Sequence, residues 1–213
     1  SLASVRTAAD ELRAAYPRID LLINNAGVFA MADPRTDEGL DARFAVNTLA
    51  PYVLACGLAG RLGPQGRIVN LSSAAQAPVS IDALTGRERL SDDQAYAQSK
   101  LALTMWSMDL ADTVAGDNIN VIAVNPGSLL NTKMVDEAYG KYWSSADKGA
   151  NILTELAISD EFADDTGKYF DNDIKDGVHG EARGEFGQPH ADALNKDAIA
   201  KLKRQTQDVL QSL

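Results

Sequence analysis

Leu2, Val5, Ala9, Leu12 and Tyr16 recur at three- and four-residue intervals, so the spacing predicts an amphipathic helix over Ser1 to Ala15, ended before Pro17. Ile19 to Ile23 follows as a short, almost wholly apolar run. Without polar alternation it reads as a strand covered on both faces, as in a parallel sheet. A long helical segment is expected from about Asp37 to Arg61, and a second strand from Gly66 to Leu71. The next helix carries its own start signals: Ser91 as cap, Gln94 in capping-box position, and Asp92 and Asp93 at the positive end of the helix dipole. It is expected to run to about Val114, with Gly116 as its stop. Ile119 to Val124 gives a third strand and Lys168 to Phe170 the core of a fourth. Leu194, Ala198, Ile199, Leu202, Val209 and Leu210 place a last helix between Ala191 and Leu213.

Strands alternating with helices predict an α/β fold, a parallel sheet joined by right-handed crossovers, within a single domain over 1–213. Ligands of such sheets bind beyond the carboxyl ends of the strands. Three polar motifs directly follow predicted strands: Asn24-Asn25-Ala26-Gly27, Ser72-Ser73 and Asn125-Pro126-Gly127. They are therefore expected on one rim.

Composition narrows the function classes. A formal net charge of −10 argues against nucleic-acid binding, which needs clustered Lys and Arg. The single Cys56 excludes an intrachain disulfide and a Cys-rich zinc site, and its apolar helical setting suggests a buried structural thiol. No apolar run approaches the ~20 residues of a membrane-spanning helix, and no signal peptide is visible. His179 and His190 lack metal-site spacing and read as surface loop residues, and Asp164, Asp165, Asp171 and Asp173 fit no EF-hand pattern. No metal is expected.

Tyr96 and Lys100 stand four apart and so project from one helix face. A free phenol, with pKa near 10, is a poor proton carrier at neutral pH, and a nearby ammonium favours the phenolate. Bringing it to neutrality requires roughly 4 kcal/mol of differential stabilisation. Such pairs also arise by chance on many helices. Ser73, just past the second strand, can donate to a substrate oxygen on the same rim or simply bond local backbone. Asn47 precedes Pro51 by four positions, so its carbonyl loses its helical donor. Either a water takes the donor's place and extends a proton path, or the helix is merely kinked.

The order Asn24-Asn25-Ala26-Gly27, Val46-Asn47, Ser72-Ser73, Tyr96-Ala97-Gln98-Ser99-Lys100, Asn125-Pro126-Gly127 resembles the short-chain dehydrogenase/reductase family. The run Tyr96 to Ser107 is most similar to its retinol-dehydrogenase-like branch. The resemblance implies the carboxyl-side part of a doubly wound, Rossmann-like fold and an oxidoreductase using NAD or NADP. Its substrate would be a lipophilic alcohol or carbonyl, and its setting a cytoplasmic homo-oligomer. It also implies that Tyr96 exchanges a proton with substrate, Lys100 lowers the Tyr96 pKa and binds the nicotinamide ribose, Ser73 holds the substrate oxygen, and the Asn47 carbonyl holds a relay water. Asn24, Asn25, Ala26 and Gly27 would line the adenosine side and steady the sheet; Pro126 and Gly127 would approach the nicotinamide, with Thr132 near its carboxamide. Thr132 stands one residue beyond the commonest family spacing. The 22 residues between Ser73 and Tyr96 exceed the usual gap and read as a loop near the substrate mouth.

Family members begin with a strand, a Gly-rich turn and further βα units that have no counterpart here; Gly57 and Gly60 lie mid-helix and supply no phosphate loop. Ile19 to Ile23 is then expected to present an open apolar edge. A fragment, an upstream half supplied separately, and a natural truncation paired with another subunit are the open explanations. A truncated, non-catalytic homologue serving as a binding or assembly module is the alternative function. A sugar-nucleotide epimerase shares the Tyr and Lys pair, but the Asn-Asn-Ala-Gly motif counts against it. Tyr139, Tyr142 and Trp143 suit either a mobile substrate lid or packing against the core.

Overall fold

The computed structural model describes residues 1–175 and 179–213. Five strands, β1 (Ile19–Asn24), β2 (Leu62–Leu71), β3 (Asn120–Asn125), β4 (Lys168–Asp171) and β5 (Glu185–Gly187), form one sheet in sequence order. The first four are parallel and β5 returns antiparallel to β4. Among the described residues, helices α1 (Leu2–Ala15), α2 (Ala42–Arg61), α3 (Ile81–Leu84), α4 (Asp92–Thr113), α5 (Lys133–Tyr139), α6 (Ala146–Ile158) and α7 (Lys196–Ser212) accompany the sheet, with short 3-10 turns at Ala115–Asp117, Asp160–Phe162 and Ala191–Leu194.

Alternation along the strands explains the double winding. Ile68 and Val121 face α2 and α4, where Leu103, Trp106 and Leu110 meet them; the intervening Val69, Ile122 and Val124 pack against Ile152 and Leu156 of α6. Both sides of β2 and β3 are therefore apolar, which is why those strands read as continuous hydrophobic runs. Phe162, Phe170 and Phe186 close the second layer edge-on, with centroids 5.3–6.0 Å apart. β1 is the edge strand, and the expected covering of both faces is not met: Ile19, Leu21 and Leu22 are half-buried, Asp20 is exposed and Ile23 is 38% exposed.

Several boundaries differ from expectation for local reasons. Asp41 caps α2, so Asp37 to Leu40 is loop, with Gly39 at φ +80°. β2 begins four residues early because Leu62 pairs with Ile19 across a register shift. Asn118, at φ 55°, makes the left-handed turn assigned to Gly116. Asn195 interrupts the last helix, its side chain accepting from Asp197 N and Ala198 N to start α7. The segment between Ser73 and Tyr96 is not all loop: α3 buries Ala83 and Leu84 in the core. Cys56 is exposed, not buried. Among the described residues, Ala42–Arg61 is long and apolar enough to cross a membrane by length and composition, contrary to the sequence expectation; 56% of its window is buried inside this fold.

Candidate active site

β1, β2 and β3 end in near register, with Asn24 opposite Asn70 and Leu71 opposite Val124. The loops that leave them therefore meet at one rim. There they border a cleft of about 1160 Å³ with the first turns of α4, with α5 and with α6. Gly27, Ser73, Tyr96, Lys100, Pro126 and Gly127 all line it.

The start of α4 forms as its sequence indicates, Ser91 Oγ accepting from Gln94 N with Asp92 and Asp93 in the first turn. One turn in, Tyr96 faces the cleft, and one turn further Lys100 is almost fully enclosed at 4% exposure. Its Nζ donates to Leu71 O at 2.7 Å and lies 5.6 Å from the Tyr96 ring centre. Burial pushes the Lys100 pKa down to about 8. Burial also holds the Tyr96 phenol above its ordinary value, and a hydrogen bond with the Ser73 side chain partly offsets this. Enclosure, which four-residue spacing does not report, sets this direction.

Ser73 Oγ accepts from Ala75 N at 3.1 Å, the local bond open to any loop serine, yet the same hydroxyl meets Tyr96. Its carbonyl accepts from Tyr169 Oη at 3.0 Å, which pins the loop to β4. Asn47 lies in a single π-helical turn, Ala45–Leu49, just before Pro51. A residue without an N–H after Asn47 favours such a break in the i to i−4 ladder. The Asn47 side chain is fully buried and used three times: Nδ2 donates to Val28 O (2.9 Å) and Ser99 Oγ (3.0 Å), and Oδ1 accepts from Val28 N (2.8 Å). Its carboxamide thus fixes the loop after β1 against α4.

Asn24 stands apart from the cleft. Its Nδ2 donates to Asn70 Oδ1 (2.7 Å), and Asn70 Nδ2 donates to Ser107 Oγ (2.8 Å), a buried chain tying β1, β2 and α4 together. Asn25, Ala26 and Gly27 do border the cleft. At the third strand end, Gly127 adopts φ +125°, a conformation that favours glycine. Asp173 secures this turn, accepting from Ser128 Oγ (2.7 Å), Ser128 N (3.1 Å) and Asn125 Nδ2 (2.9 Å) beside the buried Lys148 (3.7 Å). Thr132 is exposed at the start of α5, on the cleft wall.

Phe29, Arg43 and Asp173 belong to the surroundings of the site although no motif marks them. The Phe29 ring meets Tyr96 edge-on (5.1 Å) and stacks on Tyr139 (5.7 Å, 23°). Tyr139 therefore packs over the cleft, not into the core; Trp143 also lines the cleft and leans on His179 at 4.7 Å, while Tyr142 is exposed.

Chemically, the cleft offers a phenol and a hydroxyl at one point, an ammonium below them, and apolar walls. Its lining suits the nicotinamide end of a dinucleotide. Gly27 lines the cleft, and a Cβ there would make only ordinary contacts, 3.5 Å from Asn47 Oδ1 and 3.6 Å from Lys100 Nζ, so the bare backbone is what it presents to a ligand. Residues 25–27, Lys100, Pro126, Gly127 and Thr132 would hold it.

A model of the short chain dehydrogenases matches residues 1–143. Human retinol dehydrogenase 13 is 32% identical over 190 residues, covering 80% of this chain and 57% of the relative. The chain thus spans somewhat over half the length of that curated relative. A crystal structure of an uncharacterized protein from Mycobacterium paratuberculosis superposes with a TM-score of 0.77 at 27% identity, over 99% of this chain and 72% of the other. A short chain dehydrogenase from Burkholderia cenocepacia J2315, solved with NADP, gives 0.59 at 29% identity, over 84% and 74%.

Proposed function

The chain belongs to the short chain dehydrogenase family, and from that premise we propose that it carries the proton-transfer and substrate-binding part of an NAD(P)-dependent oxidoreductase interconverting an alcohol and a carbonyl. The observation that supports this most is the meeting of Ser73, Tyr96 and Lys100 in one apolar-walled cleft at the strand ends.

The bound nicotinamide would supply or accept hydride. The protein's own work is then to place a proton at the reacting oxygen and to hold that oxygen still. Tyr96 carries its phenolic proton at neutral pH, as a phenol ordinarily does, and faces the cleft, so it is placed to donate to the oxygen of a carbonyl as negative charge develops there. Ser73 Oγ, on the same cleft wall as Tyr96, supplies a second donor to the same oxygen. Lys100 keeps a positive potential beneath the phenol and braces α4 on Leu71. Asn47 holds the loop carrying Gly27 and Val28, which sets the floor of the cleft.

The walls formed by Phe29, Leu129, Leu130, Met134, Tyr139 and Leu153 favour a lipophilic substrate, bound by burial of apolar surface. The retinol and polyprenol dehydrogenases among the relatives support the same substrate class. The protein, given NADPH or NADH deuterated at C4, should transfer deuterium to the carbonyl carbon of a long-chain aldehyde. Absence of transfer from both cofactors across a panel of apolar and polar aldehydes would favour a non-catalytic binding module instead.

A further inference from the structure

Arg43 is charged, its side chain is entirely enclosed, and none of the steps above uses it. Its guanidinium is shared among three separate parts of the chain. Nε and Nη2 donate to the two oxygens of Asp41 at 2.7 Å each, the forked geometry that an Arg–carboxylate pair prefers. Nη1 donates to Asp92 in the first turn of α4 and to the carbonyl of Phe29 at 3.3 Å. Asp92 is one helical turn before Tyr96, on the same face, and the Phe29 ring lies edge-on against the Tyr96 ring. Arg43 therefore reaches Tyr96 from two sides, through the helix beneath it and through the ring beside it.

Asn47 lies one turn along α2 and repeats the pattern. Arg43 grips Phe29 and Asp92; Asn47 grips Val28 and Ser99. Asp92 and Ser99 are two turns apart on α4 and bracket Tyr96. Two successive rungs from α2 thus clamp the loop after β1 to the stretch of α4 that carries the phenol. A ring held only by apolar contacts can rotate and slide, whereas a buried, fully bonded guanidinium has one arrangement that satisfies it.

We propose that Arg43 is a positioning residue for Tyr96, fixing the phenol's place in the cleft through Asp92 and Phe29. The inference rests on Tyr96 being the proton carrier, but its test does not depend on turnover alone. In the protein with ring-labelled tyrosine, the Tyr96 resonance is identified by its loss in Tyr96→Phe. Arg43→Lys keeps the charge and loses the fork; Asp92→Asn takes the charge out of the arm to α4 and weakens it, at a half-exposed carboxylate whose change leaves the core intact. Both should move the Tyr96 ring resonance. Each should lower kcat, by roughly 10- to 100-fold for Arg43→Lys, with KM for the aldehyde changed by less than about 3-fold, as expected when a reacting group is misplaced and not when binding is lost. The double variant should lose little beyond Arg43→Lys alone, since both act through one contact. Unmoved Tyr96 resonances in Asp92→Asn, with kcat unchanged, would overturn the proposal even if Arg43→Lys fails to fold. Loss of the resonance shift and loss of turnover are read separately, so an inactive wild type would count against the oxidoreductase reading and leave the placement of Tyr96 to be decided by the spectra.

Discussion

The Lys100 ammonium donates to the Leu71 carbonyl across 2.7 Å, and its burial there holds its pKa near 8 against an ordinary 10.5. The contact braces α4 on the end of β2, yet the same burial makes the charged form costly. The difference in pKa corresponds to a penalty on the order of 3 kcal/mol below pH 8.

Lys100→Met should therefore make the fold more stable at pH 7, by about 1–2 kcal/mol once the lost bond to Leu71 is discounted. The sign follows from proton counting: between pH 8 and 10.5 the unfolded chain holds the Lys100 proton that the folded chain has released. Wild-type stability thus gains over that window as pH rises, and the advantage of the variant shrinks. Urea unfolding at pH 7 and pH 10 checks both statements. A variant less stable than wild type at pH 7 would contradict the buried-charge reading.

Asn47→Ala removes three hydrogen bonds from a fully buried site and leaves both polar groups of Val28 without partners. A loss of about 2–4 kcal/mol is expected, measured by the urea midpoint at constant m. Faster amide exchange at Val28 should accompany it. Normal protection there would mean that Asn47 does not hold the loop.

Two glycines should respond in opposite ways to alanine. At Gly27 the new Cβ would make ordinary contacts, 3.5 Å and more, so stability should change by less than about 1 kcal/mol while affinity for NADPH falls. At Gly86, with φ +76°, the Cβ would come 2.2 Å from Gly39 O, and the variant should unfold at clearly lower temperature. Thermal melts of the pair, with fluorescence titration of Gly27→Ala by NADPH, distinguish a ligand-facing glycine from a structural one.

Asp173→Asn should destabilise by about 1–3 kcal/mol, because it removes the carboxylate 3.7 Å from Lys148, whose side chain is 1% exposed and, among the described residues, keeps only its bond to Gly180 O and the field of Glu181. Adding Lys148→Met to that variant should recover much of the loss in thermal unfolding. If the double variant is no better than the single, the Ser128 and Asn125 bonds and not the ion pair are what the turn depends on.

The strand cores and the rim were legible because each rests on a local signal: apolar residues at Ile68, Val69 and Leu71 and at Val121 to Val124, then small polar residues at the strand ends. The cap at Ser91 and the face shared by Tyr96 and Lys100 were equally local. What escaped the sequence depends on distant partners. Phe29 reads as any loop aromatic until α5 brings Tyr139 to it. Arg43 reads as a surface charge on an amphipathic helix until Asp92, 49 positions on, closes over it. The pKa directions at Lys100 and Tyr96 depended on enclosure, which four-residue spacing does not report. Cys56 was misjudged because apolar neighbours along a helix do not fix which side of it faces the core.

Tyr96→Phe is the most direct measurement, since it removes the phenolic proton and little else. With a long-chain aldehyde and saturating NADPH or NADH, kcat should fall by roughly 10²–10⁴-fold, as for loss of a general acid, with the thermal melt close to wild type. A folded Tyr96→Phe protein that turns over at the wild-type rate would contradict a proton-carrying role for Tyr96, and with it the mechanism assigned to this cleft.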